Sequence, residues 1–201
     1  MDEDEYLTIQ GRKTTEIKVK GSKFIGTIQP AGTEHHALEF VNFISKKYYD
    51  ATHNCYAYFI GHPPSSITRY SDAGEPAGTA GMPILNVIKG KYLTNVAVVV
   101  TRYFGGTKLG KGGLVRAYTE CTQQTIEKCT IVKKFIYQRI DIEFDYGLTG
   151  HIMRVISSFR AKIDESYHGQ HTRLILSIRK SKADNLKQNL IEATSGKIRI
   201  D

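Results

Sequence analysis

An uninterrupted apolar run, Val96–Val100, leads directly into a glycine-rich basic segment and then into a helical pattern. Such a run is typical of a central strand that is covered on both faces of its sheet. The segment that follows, residues 101–116, holds five glycines and four cations. Because glycine allows backbone paths that other residues resist, this segment predicts an unusual route from a buried strand into a helix over 112–128.

A strand, a glycine-rich loop and a helix start form the geometry that cradles phosphate with backbone N–H groups. Neither standard nucleotide-binding motif fits. In GxxxxGK followed by Ser or Thr, Gly112 stands where the magnesium-binding Ser or Thr belongs. In GxGxxG, Val115 stands where the third glycine belongs. We therefore predict contacts with a nucleic-acid backbone, with Tyr103 or Phe104 stacking on a base. The alternative is a flexible basic loop with its aromatic side chains in the core. The predicted nucleic-acid or phosphate-binding residues are Arg102, Tyr103, Lys108, Lys111 and Arg116.

A second unusual segment, residues 70–83, holds three glycines and two prolines. Its predicted polar site comprises Ser71, Asp72, Glu75 and Thr79. Asp72 and Glu75 are candidates for metal ligands, general bases or acceptors from a base edge. They could equally be turn and cap residues, or could pair with Arg102 and Arg116 and hold the loop. We assign a structural role to the glycines of both segments, Gly74, Gly78, Gly81, Gly105, Gly106, Gly110, Gly112 and Gly113.

The patterns along the chain predict an α+β protein of two domains, residues 1–132 and 133–201, with a short linker over 129–134. A helix is expected over 35–49, with Leu38, Val41, Phe43 and Ile44 near one face. The last third alternates in strand period and predicts the order β-α-β-β-α-β, which is the ferredoxin-like arrangement. Ser181 is expected to cap its final helix.

The net charge is +8, from 28 Lys and Arg against 20 Asp and Glu. Residues 1–132 carry 15 basic and 12 acidic side chains, and residues 133–201 carry 13 and 8, so both parts are basic. An anionic partner, nucleic acid above all, fits this charge. The acidic N-terminus Met1–Glu5 and the absence of a long apolar run predict a cytoplasmic protein without membrane contact.

Three scattered cysteines, Cys55, Cys121 and Cys129, predict buried thiols rather than disulfides or a zinc site. His53 and Cys55 share one side of a strand, but no nucleophile turn surrounds Cys55, which favours burial of this thiol. We predict no catalytic residue, no metal and no cofactor.

Residues 71–81 and 99–118 together resemble the signatures of the IMPACT (YigZ) family, and the resemblance extends over roughly residues 15–128. The resemblance implies that the first domain folds like the second domain of ribosomal protein S5. The C-terminal part of the chain is similar to the small C-terminal domain of bacterial members. The resemblance also implies a role in translation. Eukaryotic relatives regulate initiation through protein contacts that interfere with activation of a starvation-responsive kinase.

The leading hypothesis is a monomeric protein that binds RNA or the ribosome and acts in translation or its regulation. A second hypothesis is an enzyme or binder for a small phosphorylated or nucleotide ligand, using Asp72 and Glu75 with Arg102 and Lys108. A third is a protein-interaction module with a partner in translation control, in which these cations have no direct role.

Overall fold

The apolar run forms the middle strand of a five-stranded antiparallel sheet in the computed structural model, which describes residues 4–201. β6 (Val96–Tyr103) pairs with β3 (Ser22–Pro30) on one side and with β4 (His53–Ile60) on the other. β2 (Lys13–Val19) and β5 (Ile67–Ser71) are the outer strands, so the order is β2-β3-β6-β4-β5. The prediction of a central strand is confirmed.

Helices cover both faces of this sheet. The side chains of Val98 and Val100 belong to a core shared with α2 (Gly81–Gly90) and α3 (Gly110–Glu127). The intervening Val99 belongs to a second core with α1 (Glu34–Lys47). Since successive strand residues point to opposite faces, the continuous apolar run follows from burial on both sides.

The start of α1 follows a standard capping rule, because the hydroxyl of Thr33 accepts a hydrogen bond from the backbone N–H of His36 at 3.2 Å. The buried face of α1 consists of Ala37, Phe40, Val41 and Ile44. Of the four residues predicted near one face, Val41 and Ile44 are buried, whereas Leu38 and Phe43 are 40% and 49% exposed, so the prediction is wrong for these two.

The chain divides into two compact units, each with its own core. The larger unit comprises Leu7–Lys133, and the smaller unit comprises Lys134–Asp201 together with residues 4–6. β1 (Glu5–Gln10) and β7 (Thr130–Phe135) pair as a two-stranded sheet. The residues expected to form a linker, 129–134, are thus mostly strand.

The smaller unit has the predicted order β-α-β-β-α-β. Its elements are β8 (Tyr137–Phe144), α4 (Thr149–Phe159), β9 (Lys162–His168), β10 (Thr172–Arg179), α5 (Ala183–Ala193) and β11 (Ile198–Ile200). The strands form an antiparallel sheet in the order β11-β8-β10-β9. Alternate strand residues such as Ile140, Ile142 and Leu176 pack with Ile152 and Leu186 of the two helices. The apolar residues at period two in the strands and those on one face of each helix therefore form a single core.

A buried carboxylate, Asp4, also belongs to the smaller unit. It accepts hydrogen bonds from Arg179 at 2.7 Å and from the hydroxyl of Ser181 at 2.6 Å. These bonds, the one from Arg179 first, hold the pKa of Asp4 well below its ordinary value. Ser181 lies in a 3₁₀ turn and α5 begins at Ala183 without a side-chain cap, so the predicted capping role is wrong. Two other acids of the N-terminal tail, Asp2 and Glu3, lie outside the described residues.

Between residues 4 and 201, no helix combines the length and apolar character needed to cross a membrane.

Candidate functional site

The two glycine-rich segments meet at a cleft of about 370 Å³ in the larger unit. The cleft receives side chains from the start of β4, the end of β6, the turn before α2 and the first turn of α3. Its lining residues are Thr52, His53, Glu75, Pro76, Arg102, Phe104, Lys108, Leu109, Gly110, Lys111 and Leu114.

Asp72 is engaged by the backbone around the start of α2. Its carboxylate accepts hydrogen bonds from the N–H groups of Gly78 at 2.8 Å, Ala80 at 2.9 Å and Gly81 at 2.8 Å. Burial acts to raise the pKa of Asp72, but these three donors outweigh it and lower the pKa below its ordinary value. Asp72 thus supplies the negative charge that a helix N-terminus favours, and it does not line the cleft.

Two further members of the predicted polar site also make local bonds. The hydroxyl of Ser71 accepts from the N–H of Ala73 at 3.1 Å, and the hydroxyl of Thr79 donates to the carbonyl of Pro76 at 2.6 Å. Neither residue lines the cleft. Of the four predicted polar residues, Glu75 reaches it.

Glu75 and Arg102 form a buried ion pair at the floor of the cleft. The Nη1 of Arg102 donates to Oε1 of Glu75 at 2.7 Å, and the two side chains are 7% and 3% exposed. The same carboxylate oxygen accepts from the phenol of Tyr118 at 2.8 Å. The guanidinium of Arg102 also lies 5.5 Å from the ring centroids of both Phe24 and Phe104. Arg102 is therefore held in place by protein groups.

His53 occupies the wall of the cleft beside this pair. Its Nδ1 lies 2.8 Å from the carbonyl oxygen of Ala73, and its Nε2 lies 4.0 Å from Oε2 of Glu75. Since a carbonyl can only accept, Nδ1 carries the proton, and Nε2 of the neutral ring is an acceptor. The strand period places His53 beside Cys55 in the sequence and gives no sign of its position beside Glu75.

Cys55 is buried, as predicted. Its sulfur donates to the carbonyl of Asp72 at 2.9 Å and lies 3.3 Å from the hydroxyl of Tyr118. Burial raises the pKa of Cys55 to about 12. A thiol with such a pKa is almost wholly protonated near neutrality, so it is a poor nucleophile. Cys121 is also buried, and Cys129 is half-buried.

The first turn of α3 faces the cleft without a capping side chain. Leu109 occupies the N-cap position and makes no side-chain bond, and the first turn contains no acidic residue. Lys108 and Lys111 line the cleft, are exposed and form no ion pair with any residue from 4 to 201. A helix start with positive partial charge and two cations attracts anions.

Two other predicted binding residues lie outside the cleft lining. Tyr103 donates its hydroxyl to Asp50 at 2.8 Å, and the amine of Lys23 lies 4.6 Å from its ring centroid. Arg116 is exposed on α3. Among the aromatic candidates, Phe104 lines the cleft and is 47% exposed, so it presents a ring to a ligand.

Gly105 brings two backbone segments into contact. A Cβ added at this position would lie 1.9 Å from the carbonyl carbon of Gly21, in the turn between β2 and β3. No side chain fits there without a backbone shift, which explains the glycine. Gly81 is similarly close to the backbone of Ser71, at 2.8 Å. Four of the remaining glycines have positive φ, namely Gly74, Gly78, Gly106 and Gly110, and the other two, Gly112 and Gly113, lie in the first turn of α3.

No cluster of three or more His, Cys, Asp or Glu side chains suited to a metal ion occurs between residues 4 and 201.

Comparisons with known proteins agree with the glycine-rich signatures. The Impact N-terminal domain family matches residues 20–126, and a domain of unknown function, DUF1949, matches residues 142–197. The chain belongs to the IMPACT family. It is 33% identical over 192 residues to the IMPACT family member YvyE of Bacillus subtilis (strain 168). The matched region covers 96% of this chain and 88% of that protein.

Other relatives show the same full-length similarity. The chain is 29% identical over 184 residues to the IMPACT family member YigZ of Escherichia coli (strain K12), covering 91% of this chain and 90% of the relative. A solved structure titled as a hypothetical protein superposes with a TM-score of 0.74 at 28% identity, covering 98% of this chain and 96% of the other. This IMPACT family chain thus shares both domains and the α+β architecture with its relatives.

Proposed function

We propose that this IMPACT family protein binds RNA, alone or on the ribosome, and acts in translation or its regulation. The observation that carries the proposal is the uncapped first turn of α3, which opens onto a cleft together with Lys108 and Lys111. Phosphate groups are strong acceptors and favour helix N-termini, and lysines add charge without demanding one geometry. RNA presents such phosphates repeatedly, so this site fits its backbone.

Other features support the same ligand. The chain carries a net charge of +8, which favours association with a polyanion. The exposed ring of Phe104 lines the same cleft as Lys108 and Lys111, which supports stacking on a base of a single strand. By contrast, the helix start at α2 already has Asp72 as its anion, so it offers no second phosphate site.

A second candidate is a binder of one small phosphorylated ligand. A volume of about 370 Å³ is at the small end of the range for ligand pockets, and the lining combines apolar and cationic residues. In this function the cleft holds one phosphorylated molecule, and the rest of the surface takes no part in binding.

We also propose the finer fold assignment that the sequence suggests. In it the larger unit has the topology of the second domain of ribosomal protein S5, and the smaller unit is ferredoxin-like. The β-α-β-β-α-β order and the sheet order β11-β8-β10-β9 support the latter assignment. A crystal structure of the chain, compared with both fold types, tests it.

The decisive experiment measures RNA affinity by fluorescence anisotropy over a range of salt concentrations. The double variant Lys108→Glu/Lys111→Glu should weaken binding of every sequence and flatten the salt dependence, because fewer counterions are released. Arg102 is left intact, since reversing a buried charge would perturb the fold.

The control is Lys13→Glu/Lys18→Glu, which makes the same charge change at two exposed positions of β2 outside the cleft. If both double variants weaken binding equally, RNA is attracted by overall charge and the cleft assignment is refuted. If the unmodified protein binds no RNA but binds a nucleoside monophosphate, the second candidate replaces the first.

A further inference from the structure

Glu75 combines a buried carboxylate with one oxygen that makes no hydrogen bond. Its Oε1 accepts from Arg102 and Tyr118, whereas Oε2 has no hydrogen-bond donor within residues 4–201. In that part of the chain, the fully buried side-chain polar atoms without a partner are Thr15 Oγ1 and Arg102 Nε. Oε2 of Glu75 is not one of them, so it retains access to the cleft that Glu75 lines.

A second acceptor lies close to Oε2. Nε2 of His53 lies 4.0 Å away, too far for a hydrogen bond, and the bond from Nδ1 to Ala73 leaves Nε2 of the neutral ring without a proton. Arg102 already neutralises Glu75, so the carboxylate does not need His53 as a counter-ion. Both residues line the same cleft, so two acceptors 4.0 Å apart border it.

A hydroxyl group fits this space by its chemistry. An oxygen about 2.8 Å from both acceptors fits a 4.0 Å separation, and it donates its hydrogen to one of them. The same cleft holds the predicted phosphate site at the start of α3. A ligand that fills both parts carries a phosphate and a neighbouring hydroxyl donor, which is the pattern of a ribonucleotide.

We infer that His53 and Glu75 form a ribose-hydroxyl site that makes the cleft select RNA over DNA. The inference rests on the proposed function, because it assigns the sugar of the nucleic acid bound there. The 2′-hydroxyl is the group by which proteins tell RNA from DNA at a given position. A deoxyribose places a methylene against the two acceptors, so the acceptor that receives the hydroxyl hydrogen in RNA is desolvated without a donor, and DNA binds less tightly.

The test compares three single-stranded oligonucleotides of one sequence: RNA, DNA and 2′-O-methyl RNA. RNA should bind at least about tenfold more tightly than DNA, because a buried polar group loses its hydrogen-bond partner when DNA is bound. The 2′-O-methyl strand keeps the RNA sugar oxygen but cannot donate, so it should bind as weakly as DNA. This comparison uses the unmodified protein and does not depend on a variant that folds.

The variant His53→Asn removes the Nε2 acceptor and keeps an N–H that can donate to the Ala73 carbonyl. It should reduce the preference for RNA over DNA by lowering RNA affinity more than DNA affinity. The matched control is His35→Asn at an exposed position on α1, which should preserve the preference for RNA. Thermal melting of both variants confirms that each is folded.

Equal affinity for RNA and DNA, with both weakened by Lys108→Glu/Lys111→Glu, would overturn the hydroxyl site and leave the proposed function standing. Absence of binding to any of the three strands would overturn both. A competition arm with adenosine 5′-monophosphate and its 2′-deoxy form separates RNA from a free nucleotide as the source of the hydroxyl. Displacement of RNA by the ribonucleotide at concentrations near the RNA dissociation constant would overturn the assignment to RNA.

Discussion

The ion pair between Glu75 and Arg102 gives a quantitative prediction for Glu75→Gln. The substitution keeps the size of the side chain and a carbonyl that can accept from Arg102 and Tyr118, but it leaves the guanidinium without its counter-charge. Because both side chains are more than nine-tenths buried, the loss falls in the range of broken buried pairs, about 3 kcal/mol. In a chain of this length that corresponds to a fall in melting temperature of roughly 6–12 °C.

Far-ultraviolet circular dichroism follows the melting, since the chain has no tryptophan for fluorescence. The control is Glu120→Gln, which removes the same charge at an exposed position of α3 and should change the melting temperature little. Combining Glu75→Gln with Arg102→Gln should cost less than the sum of the single changes, because the two residues interact directly. An unchanged melting temperature for Glu75→Gln, or strict additivity, would refute the reasoning that this pair stabilises the floor of the cleft.

Gly105→Ala should lower the melting temperature, because its Cβ would lie 1.9 Å from the backbone of Gly21 and overpacking typically costs about 1–3 kcal/mol. Gly112→Ala is the control, since its Cβ has no contact closer than 3.7 Å, and a melting temperature equally reduced in both variants would contradict the steric explanation. The pKa of Asp4 is lowered by folding, so the stability that this carboxylate contributes is present above its unfolded pKa of about 3.9 and is lost as the pH falls below that value. The variant Asp4→Asn has no carboxylate to pair with Arg179. Urea denaturation from pH 7 to pH 2 should therefore show a smaller acid-induced loss of stability in this variant than in the unmodified protein. An identical pH profile in the variant would contradict the pairing.

The main features of the fold could be predicted from local patterns. The run Val96–Val100 indicated a strand buried on both faces, and its alternate residues do enter two different cores. Period-two alternation likewise indicated the strands of the smaller unit, such as Ile140 and Ile142 in β8. In α1 the pattern was ambiguous, because Leu38 and Phe43 are apolar but exposed, and composition does not reveal which side of a helix the sheet covers.

The candidate site was harder to predict, because it depends on which strands are neighbours. His53 and Arg102 lie directly opposite each other in the pairing of β4 with β6, although they are 49 positions apart in the chain. Pairing of Glu75 with Arg102 was one of several alternatives that the sequence left open. The position of His53 beside Glu75 had no sequence signal, since it follows from the sheet order and from the bond to Ala73.

The contact between Gly105 and Gly21 ties two distant parts of the sequence to one another. A side chain at Gly105 would strike the turn between β2 and β3, and one at Gly21 would lie 2.8 Å from the carbonyl oxygen of Gly105. Neither segment can therefore be redesigned alone. An engineer who lengthens or rebuilds the β2–β3 hairpin also displaces the loop that presents Lys108 and Lys111 to the cleft. Grafting the basic loop onto another scaffold requires transplanting this hairpin with it.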